Sequence, residues 1–252
     1  MGITNSNKTI SVDRIECDGT LRVTLALTAA PDIVTNPTDI ALVLDRSGSM
    51  TGTPLTNMKA GADTFIDIIA EATGGTADGQ IGSGSHIGIV SFSSTATADT
   101  QLITSVATLK NAVNSLTAGG STNHGDAFTK AIELFDAAST NHKVIVMFTD
   151  GNTTTGVPPA PIAAAARARG ITIYCIGLVG SDGVDVSALN TWATPPAASH
   201  VAVTPDAAEL EALDREVFRC IEEACQEETA RWGKDVITYS VKTLFDVKAA
   251  SL

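Results

Sequence analysis

Three short polar stretches carry oxygen donors that a chain could bring together: Asp45-Arg46-Ser47-Gly48-Ser49, Gly119-Gly120-Ser121-Thr122-Asn123 and Thr149-Asp150-Gly151. Asp45, Ser47, Ser49, Thr122 and Asp150 are carboxylates and hydroxyls, with no soft ligand among them. Hard oxygen donors suit Mg²⁺, Mn²⁺ or Ca²⁺ and disfavour zinc or copper. Mg²⁺ is the expected ion. Charge balance sets the chemistry: Asp45 and Asp150 at most neutralise a divalent ion, and the hydroxyls add no formal charge. With those carboxylates acting partly through water, the ion stays electrophilic and keeps a coordination position open. Mg²⁺ retains waters readily and accepts an incoming carboxylate at such a position. The matching ligand is an Asp or Glu side chain presented by a partner protein. Gly48 and the Gly119-Gly120 pair let the backbone curl so that separated hydroxyls converge.

Catalysis is not expected. A bound Mg²⁺ could activate water, but Ser47 and Ser49 are engaged by the ion and His86, His124, His142 and His200 are scattered. The chain has no Gly-x-Ser-x-Gly, P-loop or dinucleotide fingerprint, and Gly82-Ser83-Gly84-Ser85 lacks a phosphate-binding Lys. Around the site, His124 reads as a loop or helix-start residue rather than a ligand. Asp126 suits a helix N-terminus, where the dipole favours negative charge. Arg46 points away from the two serines by strand alternation, yet could guide an incoming carboxylate. Asn152, Thr153, Thr154 and Thr155 either shape a ligand rim or are plain loop.

Such residues need strands to deliver them. Ile40-Ala41-Leu42-Val43-Leu44 and Val144-Ile145-Val146-Met147-Phe148 are continuous apolar runs, the mark of strands buried on both faces. Each ends directly on a candidate ligand segment, and ligands collect outside the carboxyl ends of strands in open parallel sheets. Further strands are expected at Ile87 to Phe92, a polar one near Thr95 to Ile103, Ile171 to Ile176 and around His200 to Val203. Helices are expected from Pro54 to Ala72, Val106 to Leu116, Asp126 to Ala138, after Pro158, near Asp185 to Trp192, and for a long stretch from Pro205. In the first of them Met58, Ala62, Phe65, Ile66 and Ile69 share one side. This alternation implies an α/β fold, a doubly wound, mostly parallel sheet flanked by helices. Residues 1–36 read as a β-hairpin segment turning at Asp18-Gly19. Residues 235–248 alternate as a lone strand that must pair elsewhere, with the N-terminal segment in a small β appendage or with a neighbouring subunit.

The chain has 252 residues, 44% hydrophobic and 17% charged, enough for a sizeable core, and with 4% aromatics that core should be aliphatic. A net charge of -12 argues against nucleic acid and against an anionic membrane surface. The acidic residues between Glu209 and Glu228 read as a solvated helix face. The sequence contains no run long enough for a membrane-spanning helix and no secretory leader, so a cytoplasmic place is the default. Cys17, Cys175, Cys220 and Cys225 are too few for a disulfide framework, and Cys175 reads as a small core hydrophobe.

In order and context, the three polar stretches resemble the von Willebrand factor type A family, whose metal-ion-dependent adhesion site runs Asp-x-Ser-x-Ser, then Thr, then Asp. The resemblance spans residues 38–230. It implies that Ser47, Ser49 and Thr122 contact a metal, and that Asp45 and Asp150 bind it directly or through water. It also implies a cation-dependent adhesion or protein-binding module, and a cell-surface or extracellular place as the alternative to the cytoplasm. Two further readings remain open: a self-assembling filament or surface protein that forms homo-oligomers, and an intracellular partner that recruits substrates to an AAA+ ATPase.

Overall fold

The apolar runs of the sequence become the inner strands of a six-stranded sheet. The computed structural model describes residues 2–10, 23–30, 37–75, 78–82, 84–179 and 183–204. The chain divides into two units, the larger spanning residues 35–229. Its elements are β3 (Thr38–Asp45), α1 (Thr53–Ala72), β4 (His86–Phe92), β5 (Ala96–Ala98), α2 (Val106–Ser115), α3 (His124–Glu133), β6 (His142–Thr149), α4 (Pro159–Ala168), β7 (Thr172–Leu178), α5 (Val186–Trp192) and β8 (Val201–Thr204). The spatial order is β5-β4-β3-β6-β7-β8, parallel throughout except for the antiparallel β4–β5 pair. The sheet is thus mixed, mostly parallel and flanked by helices.

Side chains alternate across each central strand and so build two cores. Ile40, Leu42 and Leu44 of β3, with Val144, Val146 and Phe148 of β6, meet Met58, Phe65, Ile66 and Ile69 of α1 and Leu109 and Val113 of α2. On the opposite face Ala41, Val43, Ile145 and Met147 meet Ala127, Phe128 and Ala131 of α3, Ala163 and Ala166 of α4, and Leu189 and Trp192 of α5. Cys175 is buried in that second core, and burial pushes its thiol up to about 12.

Two elements differ from expectation. The polar strand shrinks to β5. Asp99 and Thr100 both donate their backbone N–H to the Ile89 carbonyl, and the Thr100 hydroxyl accepts from Ile89 N–H. That crowding on one residue breaks the ladder, as in a bulge, and pairing returns only as a bridge between Ile87 and Ile103. Helix α3 starts two residues early and stops at Glu133 rather than Ala138. Asn123 caps its start by accepting from Asp126 N–H at 3.1 Å. Past its end, the Asp136 carboxylate captures Ala138 N–H at 2.8 Å, a local turn that competes with further helix.

In the smaller unit β1 (Gly2–Ile10) pairs antiparallel with β2 (Val23–Ala30). Ile10 lies opposite Val23, whereas an unbroken ladder from a two-residue turn at Asp18-Gly19 would set Ile10 opposite Leu27. Those turn residues, the helix from Pro205 and the strand at 235–248 lie outside the described residues.

Candidate metal centre

All three candidate ligand segments sit at the carboxyl edge of the sheet. β3 ends on Asp45 and β6 on Thr149, directly before Asp150, and the two strands are neighbours in parallel register. This register alone brings together carboxylates a hundred residues apart. Asp45, Ser47 and Asp150 are fully buried, Thr122 is nearly so, and Ser49 is half-buried.

Asp45 is held at both oxygens. Its Oδ1 accepts Ser47 N–H at 2.8 Å, and its Oδ2 accepts the Thr149 hydroxyl at 2.7 Å. The Ser47 and Ser49 hydroxyls lie 3.1 Å apart, so the Asp-x-Ser-x-Ser segment folds its oxygens onto one another. Asp150 Oδ1 accepts Asn152 N–H at 3.0 Å, and its carbonyl accepts Asp185 N–H, which ties the segment to the start of α5.

The Gly-Gly loop carrying Thr122 is sewn onto the first segment by Gly48 N–H to the Gly120 carbonyl and Gly119 N–H to the Arg46 carbonyl. At its other end Thr122 N–H donates to the Thr154 hydroxyl, and Thr154 and Thr155 N–H return to the Thr122 carbonyl. Gly120 has φ +86°, and a Cβ there would fall 2.9 Å from Ser94 Oγ, so a side chain would be strained in both backbone and space. Backbone and side-chain hydrogen bonds thus link the three segments that carry the five sequence-selected residues.

The electrostatics of this cluster are those of a site short of positive charge. Burial pushes the Asp45 carboxyl up to about 6. Hydrogen bonds from Ser47 and Thr149 pull it back, and the neighbouring Asp150 carboxylate pushes it further up. Asp150 Oδ2 is buried and has no hydrogen-bond partner among the described residues. A buried carboxylate oxygen left unpaired is costly, and a second carboxylate beside it adds to the cost. A hard cation answers both, so the residues fit the ion the sequence implies. Among the described residues no three His, Cys, Asp or Glu side chains converge as metal ligands.

Of the neighbouring residues, Arg46 is turned to β4, its Nε donating to Ser91 Oγ at 3.2 Å. Asp126 accepts Ala96 N–H at 2.6 Å and so fastens β5 to α3. Sequence reasoning passed over Thr149 and underrated His124. The imidazole is fully buried, with Nε2 2.7 Å from Thr149 Oγ1 and Nδ1 2.8 Å from Thr153 Oγ1. Burial pulls its pKa down to about 3, so the ring is neutral. The signal for Thr149 is a polar residue directly after the apolar run Val144 to Phe148.

The sequence profile of the von Willebrand factor type A domain matches residues 39–216, well over half the chain. The chain belongs to that family. Solved structures of von Willebrand type A proteins and pilus proteins share the fold. Proximal thread matrix protein 1 from mussel byssus, 23% identical, superposes with a TM-score of 0.61 over 74% of this chain and 46% of its own. A von Willebrand factor type A protein from Catenulispora acidiphila, 24% identical, gives 0.59 over 78% of this chain and 44% of its own. The chain thus spans less than half the length of either. The von Willebrand domain of the type V pilus tip protein Mfa5 from Porphyromonas gingivalis, 17% identical, gives 0.62 over 81% of this chain and 99% of its own. One structure of the mussel protein has zinc in its metal-ion-dependent adhesion motif. In that relative the ion is not one of the hard cations that the oxygen donors favour here.

Proposed function

We propose that this von Willebrand type A domain is a divalent-cation-dependent protein-binding module. Asp45, Ser47, Ser49, Thr122 and Asp150 hold the ion, with Mg²⁺ the best match and Mn²⁺ or Ca²⁺ next. The observation that carries this reading is the buried, unpartnered Asp150 Oδ2 beside Asp45, whose own carboxyl is pushed up by burial and by that neighbour. Two buried carboxylates and three hydroxyl-bearing residues leave a bound ion electrophilic, and an Asp or Glu from a partner protein completes its coordination. In this reading the domain acts by binding rather than by catalysis. The mussel thread protein with its occupied motif and the pilus tip relative support an adhesive role.

The test is a pull-down from native extract in Mg²⁺ against EDTA, with wild type and Asp45→Ala side by side. A partner recovered only by wild type in Mg²⁺ is expected, and four identical lanes would overturn the proposal. The pilus adhesin from Lactobacillus rhamnosus GG, with a TM-score of 0.65 at 15% identity, and the pilus tip domain favour a second reading in which the partner is another copy of the chain at a cell surface. Light scattering with and without EDTA separates the two, and a strict monomer in both conditions excludes self-assembly.

A further inference from the structure

The hydroxyl of Thr149 has three neighbours: Asp45 Oδ2 at 2.7 Å, His124 Nε2 at 2.7 Å and Gly151 N at 3.0 Å. A hydroxyl has one proton to give and two lone pairs. Gly151 N–H can only donate, and an ionised Asp45 can only accept. The Thr149 hydroxyl therefore donates to Asp45 Oδ2, accepts Gly151 N–H on one lone pair and must accept a hydrogen bond from His124 Nε2–H on the other. That fixes the tautomer. Nδ1 is then bare and accepts from the Thr153 hydroxyl at 2.8 Å. The ring is locked in this orientation by packing, tilted against Phe92 with centroids 5.0 Å apart and against Trp192 at 4.6 Å.

We propose that His124 is the positioning residue of the metal centre, passing an oriented set of hydrogen bonds from Thr153 through its ring and Thr149 to Asp45. The inference rests on the metal reading given above. Its function is to hold the Asp45 carboxylate in one rotamer. Without the Nε2–H donor, the Thr149 hydroxyl is free to turn away, and Asp45 loses the bond that aims it. Thr153 is exposed on the loop after Asp150, so the same set of bonds ties that outer loop to the buried carboxylate. Supporting groups that orient metal ligands matter to affinity even though they never touch the ion.

The test measures Mg²⁺ binding by calorimetry on the full chain for wild type, His124→Phe, His124→Gln, Thr149→Val and the double variant His124→Phe/Thr149→Val. Phe keeps the apolar packing and removes both ring nitrogens, and a loss of roughly 10–100-fold in affinity is expected. Gln can return an N–H donor near the Nε2 position and should recover most of that loss. If His124 acts through Thr149, the double variant is no weaker than the weaker single one, whereas independent effects would add. Nitrogen-15 spectra of the metal-free wild type at pH 8 should show the Nε2–H tautomer. An Nδ1–H tautomer, additive losses, or a folded Phe variant with wild-type affinity would each overturn the inference. If the Phe variant does not fold, Thr149→Val and the tautomer decide the matter. Wild type that takes up no Mg²⁺ would remove the metal reading itself, which is a different result from wild-type binding that no variant changes.

Discussion

Asp45 and Asp150 are both fully buried, and Asp150 Oδ2 has no hydrogen-bond partner among the described residues while its charge raises the Asp45 pKa. Asp150→Asn keeps the oxygen that Asn152 N–H uses and removes the charge beside Asp45. The metal-free variant should gain on the order of 1 kcal/mol, a Tm higher by roughly 2–4 °C for a chain of this size. Its Tm should no longer respond to Mg²⁺. A variant less stable than wild type in EDTA would count against a charge conflict. The pH dependence follows from the same pair. In the metal-free fold Asp45 keeps its proton up to about pH 6, while the unfolded chain releases it near 3.8. Folding therefore takes up a proton between those values, and this group's contribution to stability falls as pH rises through the window. His124 works the other way. Its pKa is lowered from 6.5 to about 3, so its contribution is complete above 6.5 and is lost as pH falls toward 3. The cation selects ionised Asp45, so the difference in Tm with and without Mg²⁺ isolates the carboxylate. That difference should be larger at pH 7.5 than at pH 5, and thermal scans at the two pH values measure it.

Helix α3 is the element on which the site leans most. Its first residues, His124 and Gly125, press against the strand end and the loop of β6. A Cβ on Gly125 would fall 2.4 Å from the Val157 carbonyl oxygen, a backbone atom that can move only with its loop. Gly125→Ala should cost about 1–3 kcal/mol through overpacking, read as a lower urea midpoint, and should weaken Mg²⁺ binding by shifting the Asp150 loop. An unchanged midpoint would mean that the loop yields freely. Much of this element was legible in the sequence: a helix is expected from Asp126, and Asp126 sits in its first turn. Its true start was not, because Asn123 reads as a loop residue until its side chain is seen on Asp126 N–H. The burial of His124 was not legible either. It depends on Phe92 and Trp192, which come from β4 and α5 and have no local sequence relation to it.

At the scale of the molecule, the buried residues of both hydrophobic cores and all five candidate ligands fall, among the described residues, between Ile40 and Ala193. A fragment covering residues 35–229, the larger unit, should fold and bind Mg²⁺ as the full chain does. Calorimetry on fragment and full chain checks this, and a fragment that folds without binding would give the terminal segments a part in the site. Among the described residues no helix is long and apolar enough to cross a membrane. With a net charge of -12 the protein repels anionic surfaces and polyanions.

The sequence by itself determined the layered α/β architecture and singled out the candidate oxygen donors. Apolar runs such as Ile40 to Leu44 have only one way to hide both faces, and hydroxyls and carboxylates at strand ends have a restricted coordination chemistry. Only the tertiary structure decided that Asp45 and Asp150 share one buried space, that Thr149 donates to Asp45, and that His124 stands behind them. Those facts come from the parallel register of β3 with β6 and from packing between elements far apart in the chain. Local spacing carries no record of which strand ends become neighbours.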